Sequence, residues 1–152
     1  MIKETYEKFK KKHNLLGYEE VNNELEIGSL ESEDFLLRQI RKKIAERIET
    51  ITLSLSSVLQ PSADSLTDMH ECRFFDDKDK KKMIEIYKKL MLISRSALEA
   101  DITHDDKSDA SVINDFFKTW AEVKKDLVNF LSKMKTCWEK ETEIEEKLEY
   151  FG

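Results

Sequence analysis

The side chains that could take part in nucleophilic catalysis lie close together at one point of the chain. His70 and Cys72 are two residues apart, and Asp68 and Asp76 are nearby. A cysteine nucleophile needs a histidine base, which a third group must orient. Nothing in a spacing of two residues makes the imidazole hydrogen-bond to the thiol. With three glycines the chain also lacks a Gly-x-Ser-x-Gly elbow and a glycine-rich phosphate loop. We therefore expect no catalytic residue.

The metal-ligating residue types also occur singly. Zinc sites usually take four ligands from two paired units, and His70 with Cys72 supplies one such half. Asp101 and His104 resemble one Glu-x-x-His half of a di-iron bundle, which requires a second half and inward-facing carboxylates. His70, Cys72 and His104 are the residues that a metal would use. The sequence predicts neither metal nor cofactor, and a cryptic metal-dependent enzyme is kept as the second alternative.

A cluster of basic residues suggests nucleic-acid binding as the first alternative. Arg38, Arg41, Lys42 and Arg47 follow one another closely. At about 100° per residue, the first three share a helix face that we expect to lie opposite the apolar stripe, where they could contact phosphates. The net charge of −6 and the lack of interleaved aromatic residues argue against this function.

Two apolar segments suit a protein partner. Met69, Phe74 and Phe75 lie in a connection that should be polar, and they form either an exposed docking patch or, as we favour, a plug at the end of a bundle. The second segment is an arm near the C-terminus that could pair with a second copy or another protein, or fold back onto the first helix. Its stripe consists of Ile144, Leu148 and Phe151.

Helical periodicity covers most of the chain. Two short amphipathic helices are predicted at about 2–13 and 18–25. Long helices follow at about 33–59, 77–101 and 109–149, and the first of these has Ser32 as its N-cap. The segment from Pro61 to Asp77 is not periodic. The predicted core face of the helix at 77–101 consists of Met83, Tyr87, Leu90, Ser94, Ala97 and Leu98.

Composition agrees with this helical pattern. The chain has 152 residues, 39% of them hydrophobic and 38% charged, with three glycines and one proline. Such a chain can bury a core and uses few turn residues. We expect a single all-α domain over 1–152, an antiparallel bundle of three long helices. Residues 1–28 would pack on it, and 139–152 would either project as an arm or fold back.

The sequence also predicts the location and the function of the protein. No apolar run reaches the roughly 20 residues of a membrane span, and no secretory signal is evident. Cys72 and Cys137 are far apart, which favours reduced thiols in the cytoplasm. We expect a non-catalytic interaction protein: a subunit, an adaptor or a self-associating bundle. Its partner would be another protein or a second copy.

Overall fold

The computed structural model describes residues 1–139, and in this range the protein is all-helical. It contains six α-helices, one short 3₁₀ helix and no strand, which confirms the predicted all-α class. The α-helices are α1 (Ile2–His13), α2 (Tyr18–Leu25), α3 (Leu36–Leu59), α4 (Leu66–Phe74), α5 (Asp77–Thr103) and α6 (Asp106–Glu139). No helix within these residues combines the length and the apolar character needed to cross a membrane.

The chain divides into two compact units. The first unit comprises Met1–Ile51 and Lys89–Trp120. The second comprises Thr52–Lys88 and the described residues from Ala121 onward. The prediction of one domain over the whole chain stays a prediction.

The two short helices of the first unit have the predicted bounds. α1 ends at His13, and Asn14, which adopts the left-handed conformation with φ 53°, caps the helix. The Tyr6 side chain is fully buried, and its hydroxyl donates to the carbonyl of Leu16. This burial raises the pKa of Tyr6. A buried, hydrogen-bonded tyrosine therefore fixes the turn between α1 and α2.

The first long helix, α3, begins three residues later than predicted. It starts at Leu36, because Phe35 has a φ of 52° and cannot belong to a right-handed helix. The Ser32 hydroxyl accepts from the backbone N–H of Asp34 and does not cap α3. The predicted N-cap is therefore wrong. Six of the seven residues of the predicted stripe are buried: Leu37, Ile40, Ile44, Ile48, Leu55 and Val58.

A helix that the sequence did not predict lies in the second unit. α4 covers Leu66–Phe74, within the segment expected to be a non-periodic connection. The Ser65 hydroxyl caps it by accepting from the backbone N–H of Asp68 at 3.1 Å. His70 is the fully buried position of this helix. Because the buried position is polar, the apolar pattern did not reveal α4.

The last two helices agree with their predicted positions in part. α5 ends at Thr103, and α6 begins at Asp106, three residues earlier than predicted. The predicted core face of α5 is rotated from the true one. Leu98 is exposed, and Ser94 is half-buried. The buried apolar residues of α5 are Met83, Ile86, Leu90, Ile93, Ala97 and Ala100.

Candidate interaction surface

A buried arginine joins three helices within the first unit. Arg41 of α3 is 3% exposed, and its Nε donates to Asp109 Oδ1 of α6 at 2.6 Å. Its other guanidinium nitrogens reach α5, where Nη1 donates to the carbonyl of Ala97 at 3.3 Å. Nη2 donates to Asp101 Oδ1 at 3.1 Å. Arg41 therefore fixes this part of α5 from its inner side.

Arg41 does not lie on the side of α3 that was predicted for it. Arg41 lies four residues after Leu37 and three before Ile44, so it shares their side of the helix. The expectation of a solvent-facing Arg41 is therefore wrong. Its partner Asp109 is also 3% exposed. Burial raises the pKa of Asp109, while the hydrogen bond and the charge of Arg41 act in the opposite direction.

The other three predicted basic residues lie in different environments. Arg47 forms a salt bridge with Glu24, and its guanidinium lies 5.9 Å from the ring centroid of Trp120. Arg38 is half-buried and stacks on the exposed ring of Phe35 at 4.5 Å. Lys42 is exposed. Of these four side chains only that of Lys42 is well exposed. The four residues therefore do not form one exposed basic face.

His70 has a structural environment in the second unit. It is 1% exposed, and its Nε2 lies 2.9 Å from the carbonyl oxygen of Cys137. A carbonyl can only accept, so Nε2 carries the proton. The imidazole packs on Trp138 at 4.5 Å, and Trp138 Nε1 donates to Glu71 at 3.2 Å. These contacts anchor α4 to α6.

The remaining metal candidates do not add ligands to His70. Cys72 is half-buried, and its sulfur lies 3.4 Å from Nζ of Lys80. His104 belongs to the first unit, follows α5 and is exposed with a φ of 56°. Within residues 1–139, no group of three or more His, Cys, Asp or Glu side chains could hold a metal ion.

The apolar residues around α4 belong largely to the second unit's interior. Phe75 is buried and meets Phe130 edge to face at 6.1 Å. Phe74 contacts Phe75 edge to face at 5.8 Å, and Phe74 and Met69 are half-buried. This burial favours the plug over the docking patch. The other predicted partner-binding residues, Ile144, Leu148 and Phe151, lie outside the described residues.

The first unit presents an apolar helix face that the sequence analysis did not single out. Leu92, Leu98 and Ile102 of α5 are 73%, 56% and 75% exposed. At about 100° per residue they lie within a sector of about 120°. Arg95 and Glu99 are exposed in the same sector. We call these five residues the outer α5 face.

The two charged residues of the outer α5 face are not paired within the described chain. Arg95 donates to the hydroxyl of its neighbour Ser94 at 3.5 Å. Neither Arg95 nor Glu99 forms a salt bridge with another residue of the range 1–139. The face therefore combines exposed apolar side chains with an available cation and an available anion.

An excess of apolar residues is the signal that could have revealed this face. The second half of α5 contains apolar side chains at Leu90 to Ile93, and again at Ala97, Leu98, Ala100 and Ile102. One side of a helix cannot bury all of them, because four consecutive residues point in four directions. The buried set takes Leu90, Ile93, Ala97 and Ala100. The remainder must lie elsewhere on the helix.

Comparison of the chain with protein-family models, with curated proteins and with solved structures finds no match.

Proposed function

We propose that the protein is a non-catalytic interaction protein that binds its partner through the outer α5 face. The observation that carries the proposal is the exposure of Leu92, Leu98 and Ile102 on one sector of one helix. Isolated exposed apolar residues are ordinary, whereas apolar residues grouped on one surface and flanked by polar residues are typical of interaction sites. An apolar helix face of this kind packs against an apolar helix or groove.

Burial of this face would supply a useful part of a binding free energy. Covering one Leu or Ile side chain completely contributes about 1.5–3 kcal/mol. Three such residues would offset part of the cost of association, which is at least about 4 kcal/mol. The contacts from Arg41 to Ala97 and Asp101 also hold α5 in place before a partner binds. Less ordering is then required on binding.

The nucleic-acid alternative has less support from the geometry. Phosphate binding needs several cations that can reach one backbone. Arg41 is buried with Asp109, and Arg47 is paired with Glu24. The cations of this cluster left for such contacts are Lys42 and the half-buried Arg38. A gel-shift measurement at low salt tests this alternative, since phosphate contacts are strongest there.

A cytoplasmic location is part of the proposal. Cys72 and Cys137 are both free thiols. Free thiols are the usual state of cysteines in proteins of a reducing compartment such as the cytoplasm. Blocking free thiols during lysis of the source cell, followed by mass spectrometry, would detect both as reduced. Recovery of either one as a mixed or intermolecular disulfide would contradict the location.

The proposed function is tested by placing charge on the outer α5 face. The variant Leu98→Lys/Ile102→Lys should lose association, because a partner would have to bury two ammonium groups. Two measurements are needed: light scattering for self-association, and affinity purification with mass spectrometry for other proteins. Circular dichroism should remain that of the wild type, because both positions are exposed.

The matched control is Leu53→Lys. Leu53 is an exposed leucine of α3 in the second unit, and this substitution should leave association unchanged. If the Leu98→Lys/Ile102→Lys protein keeps the molar mass and the co-purifying proteins of the wild type, the outer α5 face is not the binding surface.

A further inference from the structure

We propose that a second copy of this chain occupies the outer α5 face, with the two α5 helices antiparallel around a two-fold axis at the level of Ala97. This inference rests on the proposed function, because it names the partner of the same surface. A two-fold interface requires a patch that is complementary to itself. The arrangement of charge and apolar residues on α5 meets this requirement.

The charges of the face are complementary under the two-fold operation. Arg95 lies two residues before Ala97, and Glu99 lies two residues after it. In an antiparallel pair centred at Ala97, Arg95 therefore faces Glu99 of the second copy, and the same contact occurs twice. Both side chains are exposed and have no salt bridge within residues 1–139. The interface would supply an oppositely charged partner for each of them.

The apolar residues follow the same symmetry. Leu92 lies five residues before Ala97, and Ile102 lies five residues after it. Leu92 therefore lies at the level of Ile102 of the second copy, again twice. Leu98 lies next to the axis and meets Leu98 of the second copy. The contact runs from residue 92 to residue 102, which is about 15 Å along the helix at 1.5 Å per residue.

Parallel pairing does not match these charges. In a parallel two-fold pair each residue meets its own equivalent, so arginine would face arginine and glutamate would face glutamate. Like charges placed opposite each other destabilise an interface. An unrelated partner could bind the same apolar residues, but it would have to bring its own cation and anion at matching positions. A second copy brings both at the required spacing.

The first test is the molar mass of the full chain in solution. The monomer is 18.0 kDa, and sedimentation equilibrium over a wide concentration range should fit a monomer–dimer equilibrium. The charge-reversal variants Arg95→Glu and Glu99→Arg should each weaken dimerisation by at least about tenfold, because two symmetry-related contacts become repulsive together. The double variant Arg95→Glu/Glu99→Arg restores both contacts and should recover most of the wild-type association.

Mixing the two single variants gives the sharpest test. Each alone should be largely monomeric. An equimolar mixture of Arg95→Glu protein with Glu99→Arg protein should form heterodimers. In the mixed pair, positions 95 and 99 of the first chain are both acidic and those of the second are both basic, so both cross-chain contacts become attractive. The recovery can only arise between chains, so a change of fold in one variant cannot produce it. Circular dichroism of each variant alone shows whether it is folded.

The outcomes separate this inference from the proposed function. A monomer at all concentrations would overturn the inference, as would a dimer that neither single charge reversal weakens. If that monomer still captures another protein, and Leu98→Lys/Ile102→Lys removes it, the proposed function holds with a different partner. If the double lysine substitution changes nothing in either measurement, both proposals fail.

Discussion

Arg41 Nε lies 2.6 Å from Asp109 Oδ1, and both side chains are 3% exposed. The two residues are 68 positions apart in sequence and join α3 to α6 within the first unit. The ion pair also bears on the candidate interaction surface, because the same guanidinium contacts Ala97 and Asp101 of α5. The inner side of α5 is thus held by a charged contact, and its outer side carries the exposed apolar residues.

Removal of the buried guanidinium should destabilise the protein strongly. Arg41→Met should lower the free energy of unfolding by about 3–5 kcal/mol, because Asp109 is left as a buried charge without its partner. Urea denaturation followed by circular dichroism measures this. The control Lys42→Met changes an exposed neighbour and should cost less than about 0.5 kcal/mol. Equal losses in the two variants would contradict the importance of the buried pair.

The titration of Asp109 should appear in the pH dependence of stability. Because its pKa is raised in the folded protein, the folded state binds this proton more readily than the unfolded state does. The contribution of Asp109 to stability should therefore rise as the pH falls toward 3.8, the ordinary pKa of an aspartate side chain. The free energy of unfolding of the wild type, relative to Asp109→Asn, should increase from about pH 7 to about pH 4. A difference that decreases over this interval would contradict the raised pKa.

His70 should matter for stability, whereas His104 should not. His70→Asn removes the buried imidazole between Cys137 and Trp138 and should cost about 1–3 kcal/mol, since the buried hydrogen bond from His70 Nε2 to the Cys137 carbonyl is lost. The matched control is His104→Asn, at an exposed left-handed position that asparagine tolerates. It should change stability by less than about 0.5 kcal/mol. Thermal unfolding of the two variants side by side provides the comparison.

The two thiols should differ in reactivity. Cys72 is half-buried at the surface of the second unit, whereas Cys137 is 0% exposed. A thiol-specific chromogenic reagent should therefore modify one cysteine per folded chain and two in denaturant. Cys72→Ser should abolish the reaction of the folded protein. Rapid modification of both thiols in the folded wild type would show that the region around Cys137 opens readily.

The positions of the helices could be predicted from the sequence where apolar residues recur at helical spacing without interruption. The stripe from Leu37 to Val58 predicted α3, because its period of three and four residues is strong over about six turns. α4 escaped prediction because its buried residue is His70, a polar side chain held by a carbonyl 67 positions away. The start of α3 also escaped, because Phe35 adopts a left-handed conformation that its residue type does not indicate.

The candidate site could be predicted less well than the fold. Arg41 lies within the apolar stripe by spacing, but only the three-dimensional structure shows that Asp109 compensates its charge there. Which residues form the outer α5 face depends on which of two overlapping groups of apolar side chains on α5 is buried. Sequence periodicity placed Ala97 and Leu98 inside together, whereas the structure buries Ala97 and Ala100 and exposes Leu98. The choice is made by packing against other helices, which a single helix does not encode.

Each unit carries one tryptophan: Trp120, beside Arg47, lies in the first, and Trp138, hydrogen-bonded to Glu71, lies in the second. Replacing one indole with phenylalanine would leave an intrinsic fluorophore that reports on the other half alone. Fluorescence melting curves of the two single-tryptophan proteins would then reveal whether both halves lose their structure at the same temperature.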